Sequence, residues 1–421
     1  MTKVFLINPN FTGVSTVPSL GLGFLGGYLK RNMPSLDMEV IEPQLQKISR
    51  DECLERASKS DYIGMTCYTE SRFQCLDFAN EVKERNSSVK IILGGPHVFS
   101  LDKLILEHWN SIDYVVRGDG EEPLLSLMRG INEETIPNLT YRKGTSIISN
   151  PIIVSPTIDD YEHDYSLIRI PEWKDPEVPR YLQKYNHIPF IASRGCPFNC
   201  IFCGTPTLCG RKWRGYSPTK LVNILESLVE KYKVRYFRFY DALFIPNKKD
   251  IKDFCELVKE KDLDIFFRID SHIGVHNEPE LKLLKEVGCT VLGYGIESGN
   301  DRVLQRIGKG ITVKEILATL KVVKRLGYWV IGYFMMSHPS ETGFDLSETF
   351  ELIKRFDTHN LQFFKIHPST PFYEGLKERG LMNDLMWFQR DFGFHTQYGD
   401  EVYYCKELFQ EAPFPKQGAP I

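Results

Sequence analysis

The chain has 421 residues, with 52 Lys+Arg against 55 Asp+Glu and a formal net charge of −3. Its 42% hydrophobic and 25% charged residues are an ordinary globular composition, which excludes disordered, collagen-like and coiled-coil chains. No apolar run approaches the about 18 residues that span a bilayer. The first residues lack the layout of a signal peptide, and the near-neutral balance gives no case for nucleic acid. A cytoplasmic protein without a transmembrane segment, of two domains or one large one, is the expectation.

Residues 1–140 alternate short apolar runs with amphipathic segments. Strand-like runs at 3–8, 38–41, 62–66, 90–93 and 114–117 are separated by helical patterns at 21–31, 51–58, 72–85, 101–108 and 122–128. This alternation implies a parallel sheet covered on both faces, a Rossmann-like domain. Ligands bind such sheets in loops at the carboxyl ends of the strands. Those loops carry Asn8-Pro9-Asn10, Thr66-Cys67-Tyr68, Gly94-Gly95-Pro96-His97 and Gly118-Asp119-Gly120-Glu121. Each is small or Gly-rich and lets a flat ligand approach the backbone.

Short β-like pieces at 139–141, 147–148 and 152–154 lead into a stretch rich in Pro, Asp and Tyr, so residues 141–187 read as a linker. Alternation resumes over 188–375. Strands are expected at 190–193, 236–240, 265–269, 290–295, 328–335 and 361–366, with helices at 218–232, 249–260, 279–287, 313–325 and 345–356. Six strands make most of a parallel barrel, whose chemistry sits at the carboxyl-terminal rim. Residues 376–421 form a C-terminal extension in which the pattern weakens.

Ten cysteines are too dilute for a disulfide framework. Seven are scattered, but Cys196, Cys200 and Cys203 share one loop directly after a strand. An odd number of thiols so close together points to a metal. Zinc needs four ligands, commonly in paired C-x2-C units, and only Cys209 offers a fourth. Thiolates also hold iron–sulfur clusters, and three ligands on a four-iron cubane leave one iron open for chemistry.

This C-x3-C-x2-C loop, with aromatic Phe202 just before the last cysteine, resembles the signature of the radical S-adenosylmethionine (SAM) superfamily. The resemblance covers about 190–373. It implies a [4Fe–4S] cluster on Cys196, Cys200 and Cys203, adenine contact by the Phe202 backbone, and cleavage of SAM to a 5′-deoxyadenosyl radical. Arg268 and Asp270 end the third strand, where the resemblance places them near the SAM sugar or carboxylate. Gly295-Ile296-Glu297-Ser298-Gly299 is similar to a family segment in which Glu297 and Ser298 contact SAM. Asp241 stands where many relatives carry two adjacent acids, and Ala242 replaces the second. Asp241 and His338 are the catalytic candidates. The alternative for Asp241 and Asp270 is helix capping, and for His338 a satisfied place in the core.

Residues 1–140 resemble the cobalamin-binding domain that precedes many radical SAM barrels. The matching stretches run from Ser15-Thr16 to Leu20-Gly21, through Gly94-Gly95-Pro96, and on to Gly118, Gly120 and Glu121. Together with Thr66 these residues are the expected cobalamin contacts. The Asp-x-His-x-x-Gly motif that supplies a cobalt ligand elsewhere is absent, which leaves a domain without cofactor as the alternative. Cys53, Cys67 and Cys75 do not match the spacing of the second cluster in methylthiotransferases.

The fold class is therefore α/β: an N-terminal Rossmann-like domain of the cobalamin-binding type, then a partial (β/α)6 TIM-like radical SAM barrel. The resemblance implies a cobalamin-dependent enzyme that transfers methyl to an unactivated carbon of a small-molecule, lipid or peptide substrate. It also implies an electron donor such as flavodoxin or ferredoxin. Cyclisation or rearrangement without methyl transfer is the alternative, with a non-catalytic metal- or corrin-binding protein as a third reading. Substrate recognition is expected from the linker, the rim loops and the tail.

Overall fold

The structure is a computed structural model and describes residues 2–12, 17–168, 173–339, 341–390 and 392. Apolar runs too short for helices become strands β1 (Lys3–Ile7), β2 (Asp37–Ile41), β3 (Tyr62–Thr66), β4 (Lys90–Gly94) and β5 (Tyr114–Val116). They lie in the order β2-β1-β3-β4-β5, all parallel. Both faces are covered, as the runs require. Val4 and Leu6 pack with residues of helices Leu20–Asn32 and Glu121–Met128, while Phe5 and Ile7 pack with residues of helices Arg50–Ala57 and Arg72–Arg85.

The pieces expected near 140 and 147 become β6 (Leu139–Lys143) and β7 (Ser146–Ser149), an antiparallel pair added to β5. The first sheet thus runs to Ser149, past the limit at 140, and no strand forms at 152–154.

The second sheet comprises β8 (His187–Phe190), a ribbon of β9 (Ser193–Arg194) with β10 (Arg214–Gly215) set apart from it, then β11 (Tyr236–Phe239), β12 (Phe266–Ser271), β13 (Cys289–Glu297), β14 (Trp329–Met336) and β15 (Thr358–Phe363). Its order is β15-β14-β13-β12-β11-β8, all parallel, with β8 and β15 left as edges of a curled, open barrel. The first and last of these strands lie about three residues upstream of expectation.

Strand alternation sorts the side chains. Phe237 and Phe239 belong to the core shared with helices Pro218–Tyr232 and Lys248–Glu260, whereas Tyr236 packs with Val291 and Ile331 inside the barrel. The linker enters that interior. Val178 and Leu182 join the inner cluster, and the Asp175 carboxylate accepts from Arg268 Nη1 at 2.9 and 3.1 Å and from the Tyr236 hydroxyl at 3.3 Å. Trp329 Nε1 donates to the Glu177 carbonyl at 3.2 Å. Since Tyr236, Trp329 and Phe266 begin their strands, this part of the linker plugs the lower end of the barrel.

The carboxyl ends of both sheets face each other. Lys365, beyond β15, pairs with Glu70 beyond β3 at 3.3 Å, and Ser369 donates to Ser100 at 2.7 Å. Arg72 Nε donates to the carbonyl of fully buried Trp387 at 2.8 Å, which ties the segment after β15 to the first domain. Among the described residues, no helix is long and apolar enough to cross a membrane.

Candidate functional site

The cysteine loop is held from four sides. Gly195 has φ +92°, and a side chain there would meet the Lys212 carbonyl oxygen at 2.0 Å, so only glycine fits ahead of Cys196. Ile201 N–H donates to the Ile307 carbonyl at 3.0 Å, while its own carbonyl accepts from Phe372 N–H at 2.9 Å. The Phe198 ring stacks on His272 beyond β12, 3.8 Å between centroids and 12° between planes. The fourth hold is Asp241, whose carboxylate accepts from Ala192 N–H at 3.1 Å and from the Ser193 hydroxyl.

Beside the thiols lies a buried ion pair. Lys309 Nζ donates to Glu297 Oε1 at 3.0 Å. Burial works against the ammonium charge, but Glu297, Cys200 and Cys203 hold the Lys309 pKa above its ordinary value. Burial pushes the Cys200 thiol up to about 11, with Lys309 pulling the other way. A metal bound here would draw out the Cys200 thiolate, and the Lys309 cation would offset part of its charge. Among the described residues no three His, Cys, Asp or Glu side chains close on a single metal ion. A loop of three thiols beside a lysine fits a polynuclear cluster better than tetrahedral zinc.

A cavity of about 340 Å³ opens from Cys203. Phe202 and Gly204 wall it from the loop, Glu297 from the end of β13, Tyr333, Phe334 and Met335 from β14, and Asn360, Gln362 and Phe363 from β15. Tyr333 is the anchored member. Its hydroxyl accepts from Arg238 Nη2 at 3.2 Å and from Arg268 Nη2, and lies 3.3 and 3.4 Å from the two Asp270 oxygens. Gly293 makes room for this arrangement, because a Cβ there would meet Asp270 Oδ1 at 2.1 Å.

The sequence-predicted residues thus divide. Phe202, Cys203 and Glu297 meet on one cavity, with Cys196 and Cys200 on the same loop. Asp270 supports Tyr333 and accepts from Arg238 at 2.7 Å. Ser298 is buried, and its hydroxyl, 3.3 Å from that of Thr349, accepts from Asn300 N–H at 3.2 Å. That arrangement makes it a turn-forming residue. Arg268 is fully buried and bound to Asp175, Glu177 and Tyr333. Asp241, 3% exposed and bound to the backbone ahead of the cysteine loop, braces that loop and does not line the cavity. His338 packs edge-on to Phe364 at 5.0 Å and is likewise off the cavity wall. Tyr333 and Lys309 escaped sequence reasoning. The alternation of β14 could have singled out Tyr333, and the Lys309-Gly310 turn offered no signal of charge pairing.

In the first domain, Ser15 and Thr16 lie outside the described residues. Gly21 faces open space, since a Cβ there would meet nothing within 4 Å, whereas a Cβ at Gly94 would be in ordinary contact with the Val116 and Met65 carbonyl oxygens at 3.8 and 3.9 Å. Leu20 opens the helix that carries Gly21, and Thr66 ends β3. Exposed Tyr68 follows, among buried Cys67 and Thr69. Gly95 packs tightly, with a Cβ position 2.7 Å from both Cys67 N and O, and Pro96 begins a single 3-10 turn. The start of helix Leu20–Asn32, which follows β1, and the end of β3 flank the β1/β3 switch point, where sheets of this kind bind their ligands. Gly118 and Gly120 flank Asp119, but Glu121 is buried and paired with Arg194, so its carboxylate faces the barrel domain.

Comparison with known proteins agrees with this geometry. The radical SAM superfamily profile matches residues 190–353, and the B12 binding domain profile matches residues 11–128. The chain is 30% identical to an uncharacterised methyltransferase of Pyrococcus horikoshii, over 89% of this chain and 81% of the relative. It is 24% identical to an anaerobic magnesium-protoporphyrin IX monomethyl ester cyclase of Rubrivivax gelatinosus, over 92% of this chain and 72% of the relative. In fold it resembles the radical SAM methyltransferase TsrM from Kitasatospora setae, solved with cobalamin and a [4Fe–4S] cluster bound. The TM-score is 0.70 at 16% identity, covering 90% of this chain and 75% of that one.

Proposed function

Because the chain belongs to the radical SAM superfamily and carries a B12 binding domain, we propose that it transfers a methyl group from SAM to an unactivated carbon of a small substrate. Its cofactors are those of the family, a [4Fe–4S] cluster with SAM and cobalamin. When bound, the cluster supplies the electron that cleaves SAM, and the cobalamin carries the methyl group.

Cys196, Cys200 and Cys203 hold the cluster in this reading. Lys309 balances thiolate charge, and Glu297 both fixes Lys309 and faces the cavity. Phe202, Tyr333 and Phe363 give the cavity an aromatic wall. Asp270 with Arg238 keeps the Tyr333 ring in place as the floor. An electron donor of the flavodoxin or ferredoxin class reduces the cluster.

The observation that carries the reading is the meeting of the two carboxyl-end rims. The strand ends of the first sheet and Cys203 of the cysteine loop belong to facing ends joined by Lys365–Glu70 and Ser369–Ser100. Methyl transfer needs both cofactors over one mouth. Ring formation without methyl transfer is the second reading, favoured by the cyclase among the relatives.

Anaerobic reconstitution with iron, sulfide and hydroxocobalamin, followed by reduction with SAM present, separates them. Methyl transfer yields S-adenosylhomocysteine together with 5′-deoxyadenosine. Deoxyadenosine alone selects the cyclase reading, and neither product rejects both.

A further inference from the structure

The two rims are also joined by a buried ion cluster that the cofactor chemistry does not itself require. Arg194 Nη1 lies 2.9 Å from Asp119 Oδ1 and 3.1 Å from Glu121 Oε2, and its Nη2 also reaches Glu121. Arg214, opposite Arg194 across the β9–β10 ribbon, donates to Asp119 Oδ2 at 2.5 Å and to the Ser155 carbonyl at 3.1 Å. The Arg194 guanidinium also lies over the Phe24 and Tyr161 rings, 5.1 and 5.2 Å from their centroids. Glu121 and Arg214 side chains are 2% and 3% exposed.

The cluster joins two particular loops. Asp119 and Glu121 follow β5, in the set of strand-end loops assigned above to the corrin. Arg194 stands two residues ahead of Cys196, with Gly195 as the only residue between them. Two cations and two carboxylates balance, so neither loop can shift alone without leaving a charge buried and unpaired. Both loops must therefore be ordered together.

We propose that Asp119, Glu121, Arg194 and Arg214 couple the two cofactor sites, so that a filled corrin site favours the cluster-ready cysteine loop and an assembled cluster favours corrin binding. The four are positioning residues, and the inference rests on the functional reading above. Linkage makes the effect reciprocal. A mere staple between domains would raise stability and leave the ratio of affinities at one.

The test uses the full chain, titrated anaerobically with hydroxocobalamin and followed by its absorption spectrum, with and without the reconstituted cluster. The expected result is cobalamin affinity about 5-fold or more higher when the cluster is present. In Asp119→Asn that ratio falls toward one while both cofactors still bind. Glu121→Gln serves as a second variant with the same expectation, should Asp119→Asn not fold. A wild-type ratio of one overturns the coupling and leaves the functional reading intact. A ratio undiminished in a folded variant overturns the assignment to these residues. A chain that binds neither cofactor overturns both.

Discussion

Lys309→Met tests the charge balance at the cysteine loop. The substitution keeps an unbranched apolar stem and removes the ammonium that pairs with Glu297 at 3.0 Å. The Glu297 and Lys309 side chains are 12% and 8% exposed, so the carboxylate loses its partner in a largely dry site. Removing one partner of a buried pair costs about 3–5 kcal/mol, and the residual exposure of Glu297 argues for the low end. About 3 kcal/mol is about two decades in the ratio of folded to unfolded chain. The assay is urea unfolding of the cluster-free protein, with and without Glu297→Gln in the same chain. Lys309→Met is expected to lower the midpoint, and the double variant to recover most of the loss because no carboxylate is left unpaired. Equal midpoints for wild type and Lys309→Met would refute the reasoning, as would a double variant no more stable than the single one.

Asp241 gives a pH signature. Burial pushes its carboxyl up to about 7, against the hydrogen bonds from Ser193 and Ala192. The native state then keeps a proton that the unfolded chain has lost between about pH 4 and 7, so stability falls as pH rises through that window. Asp241→Asn should flatten this fall and leave the variant the more stable of the two at pH 8, read from urea midpoints at pH 5 and pH 8. Glu341, also pushed up to about 7 by burial, leaves a residual slope of the same sign. Gly195→Ala forces a Cβ to within 2.0 Å of the Lys212 carbonyl oxygen. It should sharply lower iron bound per chain after reconstitution, while circular dichroism stays that of a folded protein. Arg268→Met leaves Asp175 with only Arg238 and the Tyr236 hydroxyl and Glu177 without its cation, and should cost about 3 kcal/mol in urea unfolding. An unchanged midpoint would mean that the linker does not stabilise the barrel through this pair.

How far the sequence spoke depends on the range of the contacts involved. The cysteine loop was legible because its three thiols sit within eight consecutive positions, and Glu297 was singled out by the resemblance of its segment to one of the family. The partners of Arg268 were not legible because Asp175 and Glu177 lie 93 and 91 positions away in a segment without periodicity. Period-2 alternation says that Arg268 and Asp270 share one face, but not that Arg238 joins them or that a linker fills the space they face. Asp241 looked like an acid at a strand end, and only the fold turns it toward Ala192 and Ser193. β15 was displaced by three residues because Thr358, His359 and Asn360 resemble a turn. An edge strand with exposed positions tolerates such residues.

The plug in the barrel redraws where one part of this protein can be separated from the other. A cut at residue 188, where the sequence pattern resumes, would remove Asp175 and Glu177 and leave Arg238 and Arg268 as buried cations with Asp270 as their remaining carboxylate partner. It would also uncover Tyr236, Val291 and Ile331, which Val178 and Leu182 now cover. An autonomous barrel has to begin upstream of Asp175. The segment that reads as a tether between two domains is, by its contacts, the floor of the second.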